Sequence, residues 1–170
     1  MWEYQGQKRP PFAEQEQAGQ ESVWDYPRPP KLEAQNCVVE VFNDDILLAH
    51  SVETIRVLET ASPPTVYIPE KDIEMSRFAT VPGQSFCEWK GRAVYWKLLN
   101  DPDDIAIAWS YPDPFPEFDK LRGHLCFYPG RISCFIDGER VLPQPGEFYG
   151  GWVTSSIIGP FKGEPGTGHW

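Results

Sequence analysis

Residues able to do chemistry are densest in Phe86-Cys87-Glu88-Trp89-Lys90-Gly91, which is followed by Tyr95-Trp96 and by Trp109-Ser110-Tyr111-Pro112. A thiol, a carboxylate and an ammonium sit there among large rings. If the stretch is extended, Cys87 and Trp89 point to one side and Glu88 to the other, because side chains alternate along a strand. Lys90, at the following turn, then joins the thiol and the indole on one surface. Aromatic walls with a few polar groups are the usual make-up of a small-ligand pocket. The same rings could be core, since large aromatics dominate burial in small β domains. Three tryptophans within 21 residues, with Tyr95, Tyr111 and Lys90 beside them, favour a cleft. Its expected lining is Trp89, Tyr95, Trp96, Trp109, Tyr111 and Tyr128, with Lys90 at the rim.

Cys87 and Lys90 are the catalytic candidates, because a cation across the turn would lower the thiol's pKa and expose a nucleophile. No histidine lies in the cluster to serve as base, and Glu88 would oppose thiolate formation. Cys87 therefore reads first as a structural thiol, and Cys37, Cys126 and Cys134, all in strand-like runs, read as core. Ser110 lacks a Gly-x-Ser-x-Gly elbow and any His-Asp partner pattern, so a serine hydrolase is not supported. His50, His124 and His169 are scattered and there is no Cys-x-x-Cys, which argues against a zinc site; no metal and no cofactor are expected. Asp101–Asp104 read as a solvated turn and Asp113 as the cap of a Pro-rich bend. Arg56 and Glu59, three apart near a short turn, read as a surface ion pair.

The elements that must position these residues are short β runs separated by turn signals. Val38–Phe42 and Ile46–His50 flank Asn43-Asp44-Asp45 as a hairpin. Further strands are expected at Thr65–Ile68, Phe86–Trp89, Ala93–Leu98, Ile105–Trp109, Leu125–Tyr128 and Ile132–Ile136. Glycines at Trp89-Lys90-Gly91-Arg92, Tyr128-Pro129-Gly130-Arg131 and Ile136-Asp137-Gly138-Glu139 mark the turns. Only Pro116–Arg122 offers a one- to two-turn helix, with proline near its first position. No βαβ alternation appears, so the sheets should be antiparallel.

Flanking this body, residues 1–36 form an extended Pro-rich arm, of which 1–19 look disordered. Trp24 and Tyr26, just before Pro27-Arg28-Pro29-Pro30, suggest docking instead for residues 21–33. The β domain is placed at 37–142. Residues 143–170 are Gly/Pro-rich yet carry Phe148, Tyr149, Trp152, Phe161 and Trp170, too many rings for a solvated tail. They are expected to pack on the domain, within a monomer or across a homodimer.

Composition sets the outer bounds. The 170 residues suit one domain, and 25 acidic against 15 basic residues give a formal charge of −10, the wrong sign for nucleic acid or anionic lipid. The chain opens without a signal-like apolar segment and its apolar runs are too short to span a bilayer, so a cytoplasmic protein with reduced thiols is expected.

Several landmarks in order, Val57-Leu58-Glu59, Pro64-Thr65-Val66-Tyr67-Ile68-Pro69, Cys87-Glu88-Trp89-Lys90-Gly91, Tyr95-Trp96, Ala108-Trp109-Ser110-Tyr111-Pro112 and Phe127-Tyr128, resemble the family known as domain of unknown function 427 (DUF427). The flanks Glu21–Pro30 and Gly150–Gly163 are similar to a longer bacterial subgroup of it. The resemblance implies a Mss4-like or β-tent arrangement of two antiparallel sheets with a cleft between them. It also carries a nucleotidyltransferase label, but the acidic clusters Asp103-Asp104 and Asp113/Glu117/Asp119 follow no Gly-Ser turn and no Walker-type loop exists. The favoured reading is a small-molecule-binding module. Its alternatives are a thiol-dependent enzyme using Cys87 with Lys90, by analogy with the B-type methionine sulfoxide reductases of that fold, and, less favoured, nucleotidyl transfer.

Overall fold

A computed structural model of the chain describes residues 1–170. Its strands in chain order are β1 (Glu21–Ser22), β2 (Lys31–Gln35), β3 (Val39–Asn43), β4 (Ile46–Ser51), β5 (Thr54–Leu58), β6 (Thr65–Pro69), β7 (Phe78–Cys87) and β8 (Gly91–Leu98). They continue as β9 (Ala108–Ser110), β10 (His124–Phe127), β11 (Ser133–Ile136), β12 (Glu139–Arg140), β13 (Leu142–Pro143), β14 (Trp152–Val153) and β15 (Ile157–Ile158). The protein is mostly β, with several antiparallel sheets and no barrel. A seven-stranded sheet runs β2-β5-β6-β10-β9-β8-β7, and a four-stranded sheet runs β12-β11-β3-β4. β13 pairs with β14, and β1 with β15 in parallel. No helix is long and apolar enough to cross a membrane.

The larger sheet has two chemically different faces because its strands alternate. Directly opposed residues share a face, so Tyr95, Trp109, Cys126 and Tyr67 form one rung across β8, β9, β10 and β6. The next rung, Trp96, Ala108 and Phe127, faces the other way. Val66, Ile68, Leu125 and Phe127 join Val39, Val41 and Leu48 of the smaller sheet in one apolar core. Burial of such side chains contributes about 1.5–3 kcal/mol each and holds the two sheets together.

Several expectations are corrected. The strand expected at Phe86–Trp89 is the end of the ten-residue β7, which starts at Phe78 and stops at Cys87; Pro82 and Gly83 lie inside it, where the register to β8 shifts between Val81 and Gln84. An edge strand tolerates proline at such a bulge because the missing N–H leaves no ladder bond unmade. The helix expected over 116–122 is a 3-10 segment, Pro116–Leu121, interrupted at Phe118. Arg56 is no partner of Glu59: it lies on β5 opposite Glu33 of β2, and its guanidinium also meets Glu21. The β body begins before residue 37, because β2 is already a strand of the larger sheet.

The arms are layered onto this body. Trp24 and Trp152 are both 1% exposed. Val23, Trp24 and Tyr26 form a second apolar cluster with Leu58, Ala61 and Ile157, against which Tyr4, Phe161 and Trp170 pack. The segment 1–19, expected to be disordered, takes part: Tyr4 and Phe12 meet Trp24 edge-on, and Phe12 stacks on Trp170 at 5.0 Å. Leader and C-terminal arm thus cover each other's rings.

Candidate functional site

A cleft of about 490 Å³ opens on the Tyr95-Trp109-Tyr67 face of the larger sheet. No residue of the four-stranded sheet lines it, so it is not the inter-sheet cleft the sequence suggested. Its floor is side chains on the strands and just past their ends, and its walls are the terminal arms together with Ser62-Pro63 and the 88–90 turn. The floor rings are set edge-to-face or tilted: Trp109 lies 4.6 Å from Tyr128 and 6.1 Å from Tyr67, and Tyr111 lies 6.4 Å from Tyr67. Such geometry suits the aromatic quadrupole and makes a stiff surface.

Polar atoms punctuate the floor. Trp109 Nε1 donates to the Tyr67 hydroxyl at 3.1 Å, and the hydroxyls of Tyr95 and Ser85 lie 2.6 Å apart. Burial pushes the phenols of Tyr67 and Tyr111 well up and that of Tyr128 to about 12. At neutral pH these hydroxyls keep their protons and can donate.

Lys90 is the exceptional residue. The hairpin between β7 and β8 turns through Glu88, Trp89 and Lys90 and closes on Gly91, whose φ of +103° few other residues adopt. The Lys90 carbonyl accepts from the Phe115 N–H at 3.2 Å, which draws the turn under the Pro116–Leu121 segment. Lys90 is consequently 8% exposed, buried and not at the rim. Its ammonium has no hydrogen-bonded or ion-paired partner; it lies 5.7 Å from the Tyr111 ring and 6.0 Å from that of Phe118. In the same turn the Trp89 indole nitrogen is buried without an acceptor.

Two further cations come from the arms. Arg28, buried, pairs with Glu59 at 3.2 Å and donates to the carbonyls of Tyr4, Thr60 and Trp170 at 2.8–3.0 Å. Its guanidinium is saturated and therefore structural. Lys162, 3% exposed, stands 3.8 Å over the Trp2 ring while Arg28 approaches the same ring at 4.3 Å. Burial first, then the Arg28 charge, pulls the Lys162 pKa down. Tyr149 and Gly150 complete the wall, and Gly150 passes so close to Trp109 that a Cβ there would overlap its ring.

Of the residues singled out from sequence, Cys87, Trp89, Lys90, Tyr95, Trp109, Tyr111 and Tyr128 are brought together here. Trp96 is not: one residue along β8 from Tyr95, it faces the other way, and its indole donates to Ser110 at 2.9 Å. Glu88 joins Cys87 and Trp89 at the cleft because strand alternation ends at the turn. Trp2, Arg28, Tyr149 and Lys162 were missed. They lie far from the cluster in sequence, and only an arginine inside a proline run hinted that the arm held a buried charge. Cys126 and Cys134 are buried and Cys37 and Cys87 partly exposed, all as free thiols. A larger depression of about 830 Å³ adjoins the cleft, sharing Glu88 and Trp89, but it is walled mainly by Pro29, Pro30 and the Pro116–Lys120 segment.

Fold and site together define a class: a mostly-β protein whose larger antiparallel sheet carries an aromatic cleft closed by its own termini. The chain belongs to the family described as Domain of unknown function (DUF427), labelled NTP_transf_9, which matches residues 31–138. No curated protein matches the chain. The matched segment supplies the cleft floor, while Trp2, Arg28, Tyr149 and Lys162 lie outside it. Nucleotidyl transfer, which the label names, uses carboxylates gathered on Mg²⁺. No three His, Cys, Asp or Glu side chains come together at a spacing that would hold a metal ion, so the residues present do not form that site.

Proposed function

We propose that this protein is a small-molecule-binding module whose ligand, partly apolar, lies on the Trp109-Tyr111-Tyr128 floor. One observation carries the reading: rings from six separate stretches of chain, around Trp2, Tyr67, Trp89, Trp109, Tyr128 and Tyr149, border an open cavity of about 490 Å³. That volume falls within the range of sites for small organic ligands. The test is a metabolite panel read by thermal shift and tryptophan fluorescence, on wild type and on Trp109→Leu. At least one compound class should raise the melting temperature of the wild type and fail to raise that of the variant. A panel that stabilises neither protein, or both equally, ends the reading.

Thiol chemistry is the second reading, favoured by one observation: Cys87 is partly exposed and lines the same cleft as Lys90. No histidine lines the cleft to act as its base.

A further inference from the structure

We propose that the cleft is selective for an aromatic monocarboxylate, with the carboxylate paired to Lys90 and the ring on the Trp109-Tyr111 floor. This rests on the small-molecule reading above and adds the ligand's charge and class. The cleft holds three cations, Arg28, Lys90 and Lys162, against two carboxylates, Glu59 and Glu88, in a chain of formal charge −10. Arg28 and Glu59 neutralise each other at 3.2 Å. What remains is Lys90 and Lys162 against the exposed Glu88, a formal excess of one positive charge; the Lys162 ammonium also donates to the Trp170 oxygen at 3.4 Å, so among the cleft's cations only Lys90 lacks a polar partner. The acidic remainder of the surface is screened beyond about 8–10 Å at physiological salt, so the local excess decides which ligands enter.

Lys90 is where that excess is least answered. An ammonium taken out of water is costly unless a partner compensates it. Two ring faces at 5.7 and 6.0 Å lie at the outer limit of cation–π contact and compensate in part. A carboxylate entering the cleft would supply the charge-assisted hydrogen bond that the ammonium lacks within the protein. The unpaired Trp89 N–H in the same turn gives a second donor that an acceptor could satisfy after a small ring movement. A monoanion closes the charge balance. A phosphate dianion would overfill it, and no glycine-rich run of N–H groups is present in the cleft to hold one.

The experiment is isothermal titration calorimetry of the full chain with naphthylacetate, its neutral isostere naphthylacetamide, and naphthylmethylphosphonate, on wild type, Lys90→Met and Lys90→Arg. The acetate should bind wild type at least about tenfold tighter than the amide, the size expected for a buried charged hydrogen bond. Lys90→Met should abolish that preference by weakening acetate binding more than amide binding, and Lys90→Arg, which keeps the charge, should retain a preference. Equal binding of acetate and amide to wild type overturns the charge assignment and leaves the small-molecule reading standing. A phosphonate bound more than tenfold tighter than the acetate overturns the monocarboxylate in favour of a phosphate. Preference kept in Lys90→Met or lost in Lys90→Arg overturns the role of Lys90. If none of the three binds and the metabolite panel is also silent, both readings fall together.

Discussion

Lys90 is 8% exposed, and within the protein its ammonium meets only two aromatic faces and no polar partner. Arg28 shows the opposite arrangement at the same cleft, with a carboxylate and three carbonyls around its guanidinium. Replacing Arg28 should therefore cost fold stability, about 3–5 kcal/mol for a broken buried pair, whereas Lys90→Met should leave the melting temperature unchanged or raised. Thermal denaturation of the two variants side by side checks the contrast. The thiols separate in the same way. Burial raises the Cys126 and Cys134 thiols, and both should resist alkylation until unfolding, whereas Cys87 and Cys37 should react in the folded protein. A bound cleft ligand should protect Cys87 and spare Cys37, as peptide mass spectrometry would read. A Cys87 rate no faster than that of Cys37 would remove the thiol-enzyme reading. At this scale the sequence was legible where residues shared a turn or a strand parity. It failed at Trp96 because adjacency in sequence is opposition across a sheet.

Strands decide which of these residues can meet. The hairpins and the β6, β8 and β10 runs were legible from alternating apolar residues and Gly turns. β2 was hidden by the neighbouring prolines, and the first half of β7 by Pro82-Gly83, because an edge position and a bulge permit what a central strand forbids. β5 was obscured because Arg56 sits in an otherwise apolar run, its charge answered by Glu33 across the β2–β5 register and by Glu21 of β1. Burial would raise the Glu21 carboxyl, but Arg56 and the Tyr26 hydroxyl, 2.5 Å away, hold it below its usual value. A carboxyl with a depressed folded-state pKa adds stability that is complete above its unfolded-state value of about 4.3 and is lost as pH falls through the folded value. The stability gap between wild type and Glu21→Gln should thus hold from neutral pH down to about 4.3 and narrow as the pH falls below that, measured by urea unfolding at each pH. A gap independent of pH would mean that the Glu21 charge does not join β1 to β5. The wall element offers a steric counterpart. Gly150→Ala places a methyl group against the Trp109 ring, so the 145–151 loop must shift, at about 1–3 kcal/mol and with weakened ligand binding.

For the whole molecule the question is whether the arms ornament the β body or complete it. Their aromatic content made docking legible in the sequence. The place of docking was not, because contacts between residue 2 and residue 162, or between residues 28 and 170, leave no local pattern. Trp152 is 1% exposed, its indole donates to the Phe127 carbonyl at 2.9 Å, and its own N–H bonds to the Pro64 carbonyl, so it is tied to both β10 and the approach to β6. Gln144 adds a second tie, donating to the Lys162 carbonyl and accepting from the Gly151 N–H. Loss of a buried tryptophan costs about 3–5 kcal/mol, a large share of the 5–15 kcal/mol that holds a domain of this size together. A chain ending after Val141 loses that ring, the β13–β14 and β1–β15 pairings and Lys162 at once. Hydrogen exchange should then show protection falling in β6, β9 and β10 themselves, beyond the strands that lost a partner, and the point variant Trp152→Ala should show a milder version of the same map. If the shortened chain keeps its melting temperature and the protection of those central strands, the arms only decorate the sheet, and the cleft cations they contribute have no part in holding its floor in place.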